Sequence, residues 1–237
     1  NMTTTDLIRV SETIDGQNHY RFMLTTVMLI GALVLVIGLA SLTTLGDPLP
    51  PDINSDVYIN DNQYFNDSST NLSAYIYVQS GGNLTLDNVT INMVYYGGIV
   101  VENGGRLFIN NTYVPNNYWD YYLQLDYGAS MIITNSDIEG YTSISLFDTN
   151  VTINNNTLYP MYDYYSAMNI NLDYNTYTID GPIITNNTFG AYSGFYVNAY
   201  STTMGKIVID NNEFGDNYNN NGLDLNLQYA TITDIEV

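Results

Sequence analysis

Two hydrophobic patterns divide the chain. Residues 22–42 are mostly Leu, Val, Ile, Met and Ala, and no charge occurs from 22 to 46. At ~1.5 Å rise per residue, roughly 20 residues cross a ~30 Å hydrocarbon layer, so the run predicts a membrane-spanning helix. It is longer than the ~7–15-residue core of a cleaved signal peptide and reads as a signal-anchor, with cleavage near Ala40-Ser41 as the alternative. Past residue 56 the period changes. Apolar and polar positions alternate over three to five residues, and Gly, Asn and Asp interrupt each stretch. That is the pattern of short, half-buried strands joined by turns.

The alternating stretches repeat. The unit apolar-x-apolar-x-Asn-x-x-apolar occurs as Leu84/Leu86/Asn88/Ile91, Leu107/Ile109/Asn111/Val114 and Met131/Ile133/Asn135/Ile138. It returns as Val151/Ile153/Asn155/Leu158, Pro182/Ile184/Asn186/Phe189 and Ile207/Ile209/Asn211/Phe214. Two further copies carry Asp at the turn, Val57/Ile59/Asp61/Tyr64 and Ala230/Ile232/Asp234/Val237. A second short strand precedes the copies: Ile76/Val78, Ile99/Val101, Leu123/Leu125, Ile144/Leu146, Ile170/Leu172, Phe195/Val197 and Leu223/Leu225. Strands recurring at spacings of 20–31 residues describe the coils of a parallel β-helix, where stacking buries faces that no coil covers alone. The turn column is expected to be scaffold. Asn tolerates a left-handed backbone, and stacked amides bond along the axis.

The expected organisation is a cytoplasmic segment at 1–21, the anchor at 22–45, a linker at 46–56 and an all-β ectodomain at 57–237. Asp47-Pro48-Leu49-Pro50-Pro51 motivates the linker, because clustered prolines stop a helix and favour a stiff spacer. The last copy ends on Val237 with its strand edges uncapped. The stack is therefore expected to continue in the natural protein, or to be covered by another subunit.

Charge sets an orientation and excludes one class of partner. Arg9 and Arg21 precede the apolar run and no Lys or Arg follows it until Arg106, which places the N-terminus in the cytoplasm and the bulk outside. The net charge is −20, and nearly all of it lies beyond the run. Such a body repels phosphate, so nucleic acid is set aside as a partner. The chain is nonetheless 45% hydrophobic and 14% aromatic, which separates it from a disordered acidic tail. It has no Cys, so disulfides and thiolate metal sites are excluded.

The coils Ile184-Thr185-Asn186-Asn187-Thr188-Phe189 and Ile209-Asp210-Asn211-Asn212-Glu213-Phe214 resemble those of right-handed parallel β-helix proteins of the pectate-lyase-like superfamily. The likeness is closest to the surface-exposed, NosD-like repeat proteins common in archaea. It implies a right-handed single-stranded β-helix of about eight coils over 57–237. It does not imply an activity, because the fold carries lyases, hydrolases, epimerases, adhesins and stalks alike. The lyases use carboxylate-bound Ca²⁺ with an Arg or Lys base, and the hydrolases use clustered Asp. Here Arg106 and Lys206 open the third and seventh coils, roughly 19 Å apart at ~4.8 Å per coil, too far to share a site. The only His, His19, precedes the anchor. No catalytic residue is assigned, and the balance lies against an enzyme.

Two weaker constellations remain. Glu102, Asp126, Asp148 and Asp173 each follow the second strand of successive coils, a candidate Ca²⁺ column against the plainer reading of a solvated edge. Tyr118, Trp119, Tyr121 and Tyr122 crowd one connection, and Tyr162, Tyr164 and Tyr165 another. They form candidate lobes for a sugar chain or partner, against simple coverage of the coil surface. Asn-x-Ser/Thr sequons at Asn66, Asn71, Asn83, Asn110 and Asn150 fall at outward or loop positions and are the expected N-glycosylation sites. Those at Asn88, Asn155 and Asn186 lie in the turn column, where packing is expected to block a glycan. Together these features suggest a membrane-anchored structural or adhesive glycoprotein of an archaeal-type envelope, self-associating in a surface layer or filament. The alternative is a membrane-tethered polysaccharide-binding or polysaccharide-active β-helix. A pilin-like subunit is the third reading.

Overall fold

Each short strand offers one apolar edge of alternate Leu, Ile and Val, and only a neighbouring coil can cover it. In the computed structural model this occurs three times per turn, and three parallel sheets stack around one core. The structure describes residues 46–115, 121–148, 150–160, 166–172, 181–190, 194–215 and 223–236. The expected anchor at 22–45 and the segment at 1–21 lie outside them. Among the described residues no helix is long and apolar enough to cross a membrane.

The first sheet stacks Val57–Ile59, Tyr75–Val78, Gly97–Val101 and Tyr121–Leu125, and continues to Leu223–Gln228. The second runs from Asn62 through Asn83, Arg106–Asn110, Ser130–Thr134, Val151–Asn154 and Ile183–Thr185 to Thr203–Asp210. The third is the narrowest, and includes Tyr113–Val114, Thr157–Pro160, Thr188–Phe189 and Glu213–Phe214. Inward columns are continuous. Leu86, Ile109, Ile133, Ile153, Ile184 and Ile209 align in the second sheet. Val114, Ile138, Leu158, Phe189 and Phe214 align in the third. Each fully buried Leu or Ile of these columns contributes about 1.5–3 kcal/mol.

About six turns result where about eight coils were expected, and the difference lies at the two ends. Val57–Ile59 pairs with Ile76 and Val78, so it belongs to the first sheet. The true start of the second sheet is Gln63 and Phe65, opposite Leu84 and Leu86. Asp67, rather than Asp61, therefore stands against Asn88. At the other end Lys206 pairs with Asp234, which sets Asp234 five positions before the corner held by Asn211. One pairing inside the stack also shifts: Ile170 and Leu172 are both buried as expected, but Ile170 faces Leu146 and Val197, so Met168/Ile170 is the pair in register with Phe195/Val197 and Leu172 lies one inward position further on. In each case the period of two fits equally well in the wrong strand or the wrong phase.

Residues 46–53 are not a free spacer. Asp52–Ile53 pairs with the end of Asn62–Leu72, and Asp47 bridges to Phe65. Leu49 and Ile53 are buried, and with Pro50 they line a small apolar pocket over Val57, Ile59, Phe65 and Ile76. Thr70 donates to the Pro50 carbonyl at 2.6 Å, and Asn71 N–H donates to that of Pro51 at 2.9 Å. The prolines suit this position because their missing N–H groups leave no donor stranded at the end of a stack.

Candidate functional site

The corner between the second and third sheets carries most of the polar chemistry. Asn88, Asn111, Asn135, Asn155, Asn186 and Asn211 all have φ between 47° and 58°, a left-handed backbone that Asn tolerates and most residues resist. Their amides hydrogen-bond along the axis. Asn155 Nδ2 donates to Asn135 Oδ1 at 2.8 Å, and Asn211 Nδ2 to Asn186 Oδ1 at 2.6 Å. Some rungs cross to the adjacent outward column, as when Asn186 donates to Asn154 Oδ1 at 2.8 Å. The side chains themselves are exposed.

A second ladder lies one residue further on and was not anticipated. Thr112, Ser136, Asn156 and Asn187 are buried, and Asn212 is half-buried. Each side-chain oxygen accepts the backbone N–H of the preceding coil: Ser136 Oγ from Thr112, Asn156 Oδ1 from Ser136, Asn187 Oδ1 from Asn156, and Asn212 Oδ1 from Asn187, at 2.9–3.1 Å. The amides then donate to main-chain carbonyls, Asn156 to Ile133, Asn187 to Ile153 and Asn212 to Ile184. A turn frees backbone donors that no strand can take, and burial makes each orphan expensive, so an internal side chain must replace the strand partner. The signal was present in the second letter of each corner: Asn111-Thr112, Asn135-Ser136, Asn155-Asn156, Asn186-Asn187 and Asn211-Asn212.

The acidic column is not a column in three dimensions. Glu102, Asp126 and Phe147 are equivalent, since their N–H groups donate to the carbonyls of Val78, Val101 and Leu125. Asp148 stands one residue later. It is buried, and it accepts Gly128 N–H at 2.7 Å and Asn150 N–H at 2.9 Å. Gly81 N–H donates to the Gly104 carbonyl, and Gly104 N–H to that of Gly128. Where the run of stacked glycines stops, the Asp148 carboxylate takes over as acceptor. Gln124 donates to Asp126 at 2.6 Å. Among the described residues no group of three His, Cys, Asp or Glu is placed to hold a metal. Asp173 lies outside the described residues.

Of the candidate aromatics, Tyr118, Trp119, Tyr162, Tyr164 and Tyr165 lie outside the described residues. Tyr121 points inward, fully buried, and its hydroxyl has no hydrogen-bond partner among the described residues. Burial pushes its pKa far up. It is a core residue rather than a contact for ligand, because strand alternation sends Tyr121 and Tyr122 to opposite faces. Tyr122 does face outward, and it joins a row not foreseen. Tyr58 and Tyr77 lie at paired positions with ring centroids 5.2 Å apart and planes 11° apart. Tyr77 is 5.9 Å from Tyr75, and Tyr75 is 6.5 Å from Tyr122. Burial, then the neighbouring Asp56 carboxylate, raises the Tyr77 pKa.

The two cations remain apart, joined only through the register of five adjacent strands. Lys206 pairs with Glu236, and with Asp234 at 3.8 Å. Arg106 is exposed and lines an outward groove of about 460 Å³ with Tyr64, Phe108, Ser130 and Ile132. On the third sheet the outward Asp137 has one buried carboxylate oxygen with no hydrogen-bond partner among the described residues, and burial followed by the charge of Glu139 raises its pKa.

Exposure does not sort the sequons as expected. Asn88, Asn155 and Asn186 are exposed, not packed away, and what occupies their amides is the ladder. Asn71 and Asn150 are exposed, whereas Asn66, Asn83 and Asn110 are half-buried. Asn83 donates its amide to Asn62 at 2.5 Å and Asn110 to Asp87 at 2.8 Å.

A family model described as right handed beta helix region matches residues 54–234. No curated protein and no solved structure matches the chain.

Proposed function

Since the chain belongs to the right-handed β-helix family, we propose that it is a structural or adhesive glycoprotein of an archaeal-type cell envelope, a component of a surface layer or filament. In this reading residues 22–45 hold it in the membrane as a single pass, with the N-terminus cytoplasmic and the solenoid outside. One observation supports it above the others. The acids and amides at the corners bond to the stack itself, as in the Thr112-to-Asn212 ladder and the Asp148 cap, so the polar side chains are spent on the scaffold. The exposed Asn71 and Asn150 are the preferred N-glycan acceptors, ahead of Asn66, Asn83 and Asn110. Protease treatment of intact cells should release the solenoid and leave residues 22–45 with the membrane. Release of the whole chain by an alkaline wash would count against the anchor. Electron microscopy of the extracted envelope should show a lattice or filament containing the protein, and isolated particles alone would remove the assembly role.

The second reading, a membrane-tethered polysaccharide-binding or polysaccharide-active protein, draws support from the outward tyrosine row. Turnover of a polysaccharide by the purified chain would favour the active form.

A further inference from the structure

We propose that the first sheet is a binding face for an uncharged polysaccharide, built on Tyr58, Tyr77, Tyr75 and Tyr122. The proposal rests on the adhesive form of the reading above, and names the ligand class that such a surface would take.

The four rings form one row across the first four coils, linked by centroid distances of 5.2, 5.9 and 6.5 Å. Their backbones span three rungs, or ~14 Å at ~4.8 Å per rung. Parallel rings in full overlap would sit at ~3.5–4.0 Å, so the 5.2 Å between Tyr58 and Tyr77 means an offset that leaves part of each face open. Tyr58, at the row's end, is 58% exposed. Tyr75 and Tyr122 pair on either side of Gly98 in register, two rungs apart and so ~9.6 Å along the axis, yet their rings close to 6.5 Å. Gly98 has no side chain to keep them apart. The row is therefore a continuous aromatic strip with no intervening bulk.

Beyond Val100, which follows Tyr77 in register, the column beside the strip turns polar with Gln124 and Ser145. A sugar ring has an apolar C–H face and a polar rim, and a strip of tyrosines bordered by amide and hydroxyl groups offers both partners. Charge narrows the class. With a net charge of −20 and Asp56 and Glu102 close enough to raise the Tyr77 pKa, the face repels polyanions such as uronic-acid polymers or nucleic acid. A cationic partner would be drawn to the acids rather than the rings. A neutral polymer is the occupant that the rings and the field both admit.

The test uses the full 237-residue chain and sedimentation with cellulose and chitin as uncharged probes, and pectin and alginate as anionic ones. Binding to at least one uncharged probe and to neither anionic probe is expected. Tyr58→Ala should weaken that binding roughly three- to tenfold, the range of one lost aromatic contact, while Tyr58→Phe retains it. Tyr122→Phe serves as a second variant that keeps the ring and the packing, and should also bind. Failure of every uncharged probe overturns the proposal, as does binding unchanged in Tyr58→Ala. So does self-association lost in Tyr58→Ala without any polysaccharide present, which would make the face an interface between copies. The envelope reading fails separately: a chain that binds cellulose but is absent from the cell surface sinks that reading and leaves this face intact.

Discussion

Adjacent asparagines at one corner should differ sharply in what they contribute. Asn187 is 1% exposed and makes four side-chain hydrogen bonds. Its oxygen accepts Asn156 N–H and Asn156 Nδ2, both at 3.0 Å, and its amide donates to the Ile153 carbonyl and Asn212 Oδ1, both at 2.9 Å. Asn187→Ala leaves the Asn156 N–H buried without an acceptor, at about 1–3 kcal/mol, and removes three further bonds worth ~1 kcal/mol each. The sum is about 4–6 kcal/mol, before any cavity cost. Asn186, one residue earlier, is exposed with φ 58°. Asn186→Ala pays chiefly for the left-handed backbone, ~1–2 kcal/mol, and Asn186→Gly should cost little because Gly accepts that conformation freely. Urea unfolding followed by far-UV circular dichroism measures all three. Stability is expected to fall in the order Asn186→Gly, Asn186→Ala, Asn187→Ala, with at least ~2 kcal/mol between the last two. Equal effects of the two alanine variants would refute the inner ladder as the stabilising element.

Three more outcomes follow from the same geometry. Asp148→Ala should destabilise by about 1–3 kcal/mol through loss of the bonds that its carboxylate accepts from Gly128 and Asn150 N–H, by the same amount with Ca²⁺ or with chelator, and a Ca²⁺-dependent difference would restore the metal reading. Tyr121→Phe removes a buried hydroxyl that lacks a partner, so the melting temperature should rise, by roughly 1 kcal/mol of added stability, where a ligand-facing tyrosine would show no gain. Asp137 has a folded pKa raised above its unfolded value, so the fold binds its proton more tightly and loses stability as pH rises through the folded value. Asp137→Asn should therefore be the more stable form at neutral pH, with the advantage closing as pH falls toward the ordinary carboxylate range near ~4. An advantage that persists undiminished in acid would assign it to something other than titration.

These predictions rest on residues of very different legibility. The inward columns could be read directly, because a period of two over Leu86, Ile109, Ile133, Ile153, Ile184 and Ile209 has one physical meaning. Phase was harder. Val57 and Ile59 alternate as well as Gln63 and Phe65, better on hydrophobicity alone, and nothing in a period of two says which sheet a strand joins. Phase comes from the turn, and Asp61 and Asp67 are both plausible turn residues; the choice is made by the pairing of Asn62–Asn66 and Ser68–Leu72, on either side of Asp67, with the next coil. The same ambiguity hid the Pro-rich cap, since Leu49 and Ile53 look like isolated apolar residues until a coil end needs covering. The inner ladder was legible and missed. An exposed turn needs only one Asn for its left-handed φ, so a second hydrogen-bonding residue directly after it calls for another explanation, and burial supplies one. Asn88 is followed by Val89, and there the column is apolar; the polar ladder begins at Thr112 and strengthens to Asn at 156, 187 and 212. The tyrosine row lies at the opposite limit. Its members come from three strands spread between Tyr58 and Tyr122, and the feature that joins Tyr75 to Tyr122 is the absence of a side chain at Gly98. Only the register of the stack makes that glycine a neighbour of both rings.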